Sequence, residues 1–281
     1  MQKMPARYYV FFTLPTIIAF LIAFFIPFLL GIYLSFTTFT TVTNAKWAGL
    51  INYLRAFTDN DYFLNATIFT AKFAVVSVVL INVFAFSLAL LLTRKMRGEN
   101  GFRTVFFMPN LIGGIVLGYI WLLIINGILI NFGVDITFSA KYGFWGLVVV
   151  MNWQMVGYMM IIYIAGILAI PSELWEAAKI DGANSWEILK NITIPMVMPA
   201  ITICTFLTLA NSFKLFDQNL SLTAGAPARQ SAMLALDIFN TFYGRIGYEG
   251  VGQAKAVIFT VFVSVIVLLQ LLFSRNRELE S

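Results

Sequence analysis

The chain has 281 residues, 60% of them hydrophobic and 11% charged, with a net charge of +5 and a mean hydropathy of +0.87. So apolar a composition excludes a soluble domain and points to a chain whose surface is covered by lipid. With no histidine and one cysteine, Cys204, it offers no internal disulfide, no histidine-based catalytic triad and no basis for a transition-metal site.

Six apolar segments follow in order, at about 9–36, 66–92, 105–130, 144–169, 197–220 and 254–273. Each is near the ~20 residues that cross the hydrocarbon core. The first run, Tyr8 to Phe36, is far longer than the roughly 7–15 residues of a signal-peptide core and lacks a small-x-small cleavage site, so it is expected to be retained. Thr37 to Asn65 is polar and aromatic, with Trp47, Asn52, Tyr53 and Tyr62, and its apolar residues at helical spacing predict a segment along the membrane surface. Thr93–Thr104 carries Arg94, Lys95, Arg97 and Arg103. Pro15, Pro27, Pro109, Gly113, Gly114 and Gly118 lie within spans, where they permit kinks and close helix packing.

Lysine and arginine counts orient the chain. With both termini in the cytoplasm, the inner side carries ten: Lys3, Arg7, Arg94, Lys95, Arg97, Arg103, Lys179, Lys190, Arg275 and Arg277. The outer side carries five, Lys46, Arg55, Lys141, Arg229 and Arg245, while Lys72, Lys214 and Lys255 fall in or beside spans. The excess favours an N-in, C-in chain. It also accounts for the positive charge without nucleic acid, since no basic cluster is interleaved with aromatics.

That orientation places Pro171 to Pro199 in the cytoplasm, where it interrupts two apolar runs with four of the chain's thirteen acidic residues. Locally it predicts two short helices. Ser172 is expected to cap the first, Glu173 and Glu176 suit its first turns, and Gly182 ends it. Asn184 and Glu187 have capping-box spacing for the second helix, which Pro195 is expected to limit. Ala177 and Ala178 leave a shallow surface for another protein. On local grounds alone a solvated loop between spans is the plainer reading. No G-K-[ST] phosphate loop occurs in the chain, so any ATP hydrolysis belongs to another subunit.

Polar side chains inside spans are costly and mark paths or binding sites, or else serve as interhelical hydrogen-bond glue. The fifth segment holds Asn211, Ser212, Lys214, Asp217 and Gln218. The spacing predicts Asn211, Lys214 and Gln218 on one helical face, with Lys214 and Asp217 placed to pair. Asn152, Trp153 and Gln154 of the fourth segment reach similar depth, and Asn82 is the counterpart in the second. Amides with aromatic faces suit a sugar.

Glu176, Ala177, Ala178, Gly182, Ile192 and Pro195 match the motif E-A-A-x3-G-x9-I-x-L-P in register, with Ile194 in place of its leucine. The chain therefore resembles the permeases of binding-protein-dependent ABC importers. Asp181, Ala183 and Asn184 extend the likeness to the maltose-type sugar branch, as does Phe213 to Asp217 followed by Leu222 to Pro227, where Ala226 stands in place of a second glycine. Trp47, Gly49, Asn52 and Tyr53 match a further landmark.

The resemblance implies an all-α membrane protein of six transmembrane helices: a single transmembrane domain over 1–281 with the type I importer permease fold in its short form. Its coupling helices lie between spans 4 and 5, within 171–199. The implied function is ATP-driven import of a sugar across a bacterial or archaeal cytoplasmic membrane. The partners would be a second homologous permease in a heterodimer, two ATP-binding subunits and an extracellular solute-binding protein. ATP and magnesium would be held by the ATPase, with no cofactor in this chain. Glu176, Ala177, Ala178, Asp181, Gly182 and Pro195 would couple to the ATPase. Asn211, Lys214, Asp217, Gln218, Asn152 and Gln154 would line the substrate path. Alternatives are a permease for another solute such as glycerol phosphate, and an ion-coupled secondary transporter, for which Asp217 is the in-span acid.

Overall fold

The computed structural model describes residues 6–58, 62–94 and 97–279, with side chains described from 11 to 272 within that range. Lys3 and Lys95 of the charge count lie outside it, as do the side chains of Arg7, Arg275 and Arg277.

The first apolar run is helical as α1 (Ala6–Phe20) and α2 (Ile26–Ser35), joined through a π turn at Leu21–Phe25. The π turn immediately precedes Pro27. In it the Ile26 amide donates five residues back, to Leu21 O, so the turn is widened just ahead of the residue that has no N–H to give. Two short strands follow, β1 (Thr37–Thr38) and β2 (Lys46–Trp47), antiparallel with Thr37 opposite Trp47. Helix α3 (Ile51–Thr58) occupies the stretch predicted to contain a surface helix. Beyond it come α4 (Tyr62–Leu92), α5 (Glu99–Phe107), α6 (Gly114–Leu129) and α7 (Ala140–Leu168). The cytoplasmic segment folds as α8 (Ser172–Ile180), α9 (Ser185–Ile188) and α10 (Ile194–Met196), leading into α11 (Met198–Phe213). The rest comprises α12 (Asp217–Leu222), α13 (Leu234–Gly244) and α14 (Glu249–Leu279).

Among the described residues, five helices are long and apolar enough to cross a membrane. A sixth span arises if Ser185–Met196 and Met198–Phe213, which meet at 68°, are taken together. Two expected spans differ, those at 105–130 and 197–220. The segment at 105–130 is not one helix: α5 ends at Phe107, a tight turn covers Met108–Leu111, Ile112 is extended, and α6 starts at Gly114. Pro109 and Gly113 carry this break.

The chain forms two compact units, Met1–Phe63 with Ile238–Thr260, and Leu64–Asp237 with Val261–Ser281. In the first, the landmark residues Trp47, Asn52 and Tyr53 fasten the end of α2. The Asn52 amide, 1% exposed, donates to the Ser35 carbonyl at 2.9 Å and to the Thr37 carbonyl at 2.8 Å. The first is a carbonyl that a helix end leaves without a partner, and the second lies in β1. Tyr53 Oη lies 2.6 Å from Ser35 Oγ, and Phe36 stacks on Trp47 with ring centres 5.7 Å apart. Gly250 lies against Thr37 and Asn52 with no room for a side chain. Asn52→Ala is therefore expected to destabilise this end by about 1–3 kcal/mol, since it orphans buried carbonyls. Faster hydrogen exchange around Ser35–Thr38 than in the parent protein would register the loss.

In the second unit α7 is the hub. Leu147, Val150, Met151, Met159, Met160 and Tyr163 are buried against Phe73, Ile81, Ala85 and Ala89 of α4, Leu117 of α6 and Cys204 of α11. Lipid supplies no hydrophobic drive between helices, so small residues that allow backbones to approach set the packing. At Gly157 an added methyl would overlap the Phe106 carbonyl, and at Gly166 it would come within 2.9 Å of Ala200. Asn82 belongs to this packing: it donates to Val78 O at 2.7 Å and accepts from Tyr163 Oη at 2.7 Å.

Candidate functional site

Two places stand out, both within the second unit. The first is the cytoplasmic segment. Pro171 occupies the N-cap of α8, and Ser172 is its first helical residue with no side-chain cap bond, so the expected serine cap is not formed. The far end closes as anticipated. Gly182, at φ +81°, donates to Lys179 O at 3.2 Å, and Ala183 donates to Ala178 O at 2.9 Å. This pair of bonds satisfies the last carbonyls of α8 and requires a left-handed residue between them. The capping box is present too. Asn184 Oδ1 accepts from the amides of Trp186 and Glu187 at 2.9 and 3.0 Å, and Glu187 Oε2 accepts from the Asn184 amide at 2.8 Å.

Pro195 does not stop the second helix. A π turn at Leu189–Thr193 precedes it, repeating the arrangement at Pro27, and the chain passes Pro195 to bend at the buried Val197. Glu176, Ala177, Asp181 and Gly182 are exposed, with Ala178 half-buried. Beside them Ile180 is 86% exposed and Trp186 67% exposed. Two large apolar side chains are thus held out from an otherwise polar segment. Neither was singled out from the sequence, where an isolated apolar residue in a short helix carries no distinguishing period.

The second place is a cavity of about 360 Å³ lined by Asn110, Gly114, Met151, Gln154, Met155, Asn211 and Lys214 to Gln218. Five of the six residues expected along the path, Gln154, Asn211, Lys214, Asp217 and Gln218, do meet here, but the last four are not on a continuous helix. Helix α11 ends at Phe213, Lys214 caps it, and α12 restarts at Asp217. Irregular backbone at membrane depth is tolerated where it lines a cavity, which is the position of this break. The expected Lys214–Asp217 pair is not formed, whereas Arg103 and Glu99, one turn apart, do pair at 3.8 Å. Breaking the helix removes the i, i+3 geometry on which that expectation rested.

The amides are organised as a brace. Gln218 Nε2 donates to Gln154 Oε1 at 2.6 Å, and Gln154 Nε2 donates to Ile112 O at 3.2 Å, in the break that precedes α6. Asn211 Nδ2 donates back to Leu207 O at 2.8 Å, which leaves its carbonyl oxygen for another partner. Gly114 and Gly118 let α12 lie on α6: a methyl at Gly114 would come within 2.6 Å of Asp217 Cβ, and one at Gly118 would overlap Ser221.

Asn152 is not part of this group. Two positions along a helix turn a side chain by about 200°, so Asn152 points to a different cavity of about 400 Å³ with Phe84, Phe106 and Trp153. There its amide donates to Val148 O at 2.8 Å while its Oδ1 is buried without a partner.

Asn110 and Asn219 were not anticipated. Asn110 is the polar residue of an apolar stretch directly after Pro109, a signal the sequence did carry. Asn219, fully buried, donates to Thr223 Oγ1 and Ser231 O and accepts from the Met233 amide, each at 2.9 Å. It folds the Leu222–Pro227 landmark around itself. The missing second glycine is harmless there, because the left-handed positions are Ala224 and Gly225 rather than Ala226.

Residues 97–278 match the family model described as binding-protein-dependent transport system inner membrane component. The probable starch degradation products transport system permease protein AmyD of Thermoanaerobacterium thermosulfurigenes is 46% identical, covering 97% of this chain and 96% of its own. The trehalose/maltose transport system permease protein MalF of Thermococcus litoralis is 29% identical over 85% of this chain and 83% of its own. A solved bacterial alginate ABC transporter, in complex with an alginate pentasaccharide-bound periplasmic protein, has a similar chain with a TM-score of 0.80, 21% identity and coverage of 97% and 96%.

Proposed function

This chain belongs to the binding-protein-dependent transport system inner membrane components, multi-pass membrane proteins, and has the type I ABC importer permease fold; from that membership we propose that it is the permease subunit of an ATP-driven sugar importer. Its expected partners are a second permease of the same kind, two ATP-binding subunits and an extracellular solute-binding protein that delivers the sugar. ATP and magnesium sit on the ATPase, and this chain makes and breaks no covalent bond.

The sugar reading rests on the lining of the 360 Å³ cavity. Its volume falls in the roughly 300–1,000 Å³ range of small-molecule sites, where a few polar groups fix the ligand within apolar walls. Amides from Asn110, Gln154, Asn211 and Gln218 offer donors and acceptors for hydroxyl groups. Lys214 and Asp217 contribute one charge of each sign, so the wall favours a neutral solute over a phosphate ester. The relative named for starch degradation products supports a glucose oligomer in particular.

Alternating access follows from these parts. Closure of the ATPases pulls on α8 and α9 through Glu176, Ala177 and Ala178, with Ile180 as an apolar anchor. The bend at Val197 carries that movement into α11, at whose far end Asn211 and Lys214 meet the cavity. The sugar's hydroxyls replace the Gln218–Gln154 brace as it passes.

In the assembled importer, Asn211→Ala and Gln218→Ala are each expected to raise the KM for uptake about tenfold, the effect of losing one hydrogen bond of about 1 kcal/mol or slightly more. Binding-protein-stimulated ATP hydrolysis should persist. Unchanged affinity and selectivity across a panel of sugars would move the site elsewhere.

A further inference from the structure

A groove of about 620 Å³ lies away from the substrate cavity, among the C-terminal ends of α4 and α7 and the coupling segment from Trp175 to Thr193. Leu90, Ile167, Leu168, Ile188 and Leu189 give it an apolar wall, and Trp175 and Trp186 stand along it. Among the described residues two cations, Arg94 and Lys179, also line it, and no carboxylate does. The nearest acid in sequence to Trp186 is Glu187, whose carboxylate is engaged in the capping box.

This combination differs from a surface merely following the positive-inside bias. The cations come from two elements far apart in sequence, the end of α4 and the last turn of α8, and they share one cleft with a continuous apolar wall. Water solvates a lone lysine well but does not favour the wall. A free inorganic anion satisfies the cations and leaves the wall bare. A molecule with a phosphate at one end and hydrocarbon at the other satisfies both, and the groove lies where the spans leave the bilayer, at headgroup level. Tryptophans at such a level belong to the same interface.

We infer that this groove is a binding site for an anionic phospholipid, its phosphate between Arg94 and Lys179 and an acyl chain along Leu90, Ile167, Leu168 and Leu189. A lipid seated there touches the first turn after α4 and both coupling helices, so the charge of the inner leaflet bears directly on the segment that receives the ATPase. The inference requires the membrane orientation but not the identity of the transported solute, and its test involves no sugar.

The purified, assembled importer is titrated in detergent with phosphatidylglycerol or with phosphatidylcholine of the same chains, and the retained lipid is counted by native mass spectrometry. Wild type is expected to hold phosphatidylglycerol in preference. At roughly one cation–headgroup interaction per residue, Arg94→Gln should weaken retention about fivefold and Arg94→Gln with Lys179→Gln about twenty-five-fold. Both side chains are exposed, so folding should be unaffected. Arg94→Lys, which keeps the charge, should restore retention and guards against misreading a damaged fold. Equal retention of the two lipids by wild type, or undiminished retention by the double variant, overturns the site. Displacement of the lipid by millimolar inorganic phosphate would assign the groove to a soluble anion and overturn the lipid reading.

Discussion

Gly157→Ala is expected to destabilise the second unit by about 2–3 kcal/mol, the cost of overpacking a well-filled contact. The added methyl would meet backbone, the Phe106 carbonyl and the Phe107 amide, rather than a side chain that could swing aside. To accommodate it, α5 must move off α7. Gly127→Ala is the control, a helical glycine with nothing within 4 Å, where the substitution should be neutral or stabilise by about 0.5–1 kcal/mol. Thermal unfolding of the solubilised importer distinguishes the two. Equal midpoints would mean that α5 and α7 are not in the close contact described.

Gly182→Val should abolish most coupled transport while leaving the spans intact. The residue has φ +81°, where a side chain costs about 1–2 kcal/mol and a β-branched one is especially ill suited. Nothing lies within 4 Å of a Cβ built there, so the damage comes from backbone geometry and not from crowding. Relaxing the strain breaks the bonds from Gly182 to Lys179 and from Ala183 to Ala178, and α9 loses its fixed angle to α8. Uptake and solute-stimulated ATP hydrolysis are expected to fall by about tenfold or more. Gly182→Asn, which tolerates the left-handed region, should retain much of both. If the valine variant docks the ATPase and transports normally, the coupling role assigned to this joint is wrong.

Sequence patterns that report local chemistry were legible. Asn184 with Glu187 and the glycine at 182 specify their bonds within a few residues, and the structure contains those bonds. Hydropathy likewise marked the long helices, because bilayer thickness imposes a length that any spanning run must meet. What tertiary packing decides was less visible. Nothing between Phe213 and Asp217 is a strong helix breaker, so a continuous face was the natural expectation, yet the helix opens there beside a cavity. The break at Met108–Gly113 did have a proline and glycines to announce it, but an apolar stretch of spanning length outweighed them. Ser172 failed as a cap because Pro171 occupies that position. Asn152 and Gln154 were grouped by depth alone, and their helix sends them to different cavities.

The contact at Gly157 has a mechanical meaning beyond its cost. With the Phe106 backbone seated directly on α7, no rotamer separates α5 from α7, and the two helices behave as one rigid body at that point. Bending within the third apolar segment is then confined to Met108–Gly113, the stretch with a single 3-10 turn, an extended residue and no continuous α-helical bond ladder. The same stretch holds Ile112, whose carbonyl anchors the Gln154 end of the brace. The break in this segment and the brace across the cavity thus adjoin at Ile112.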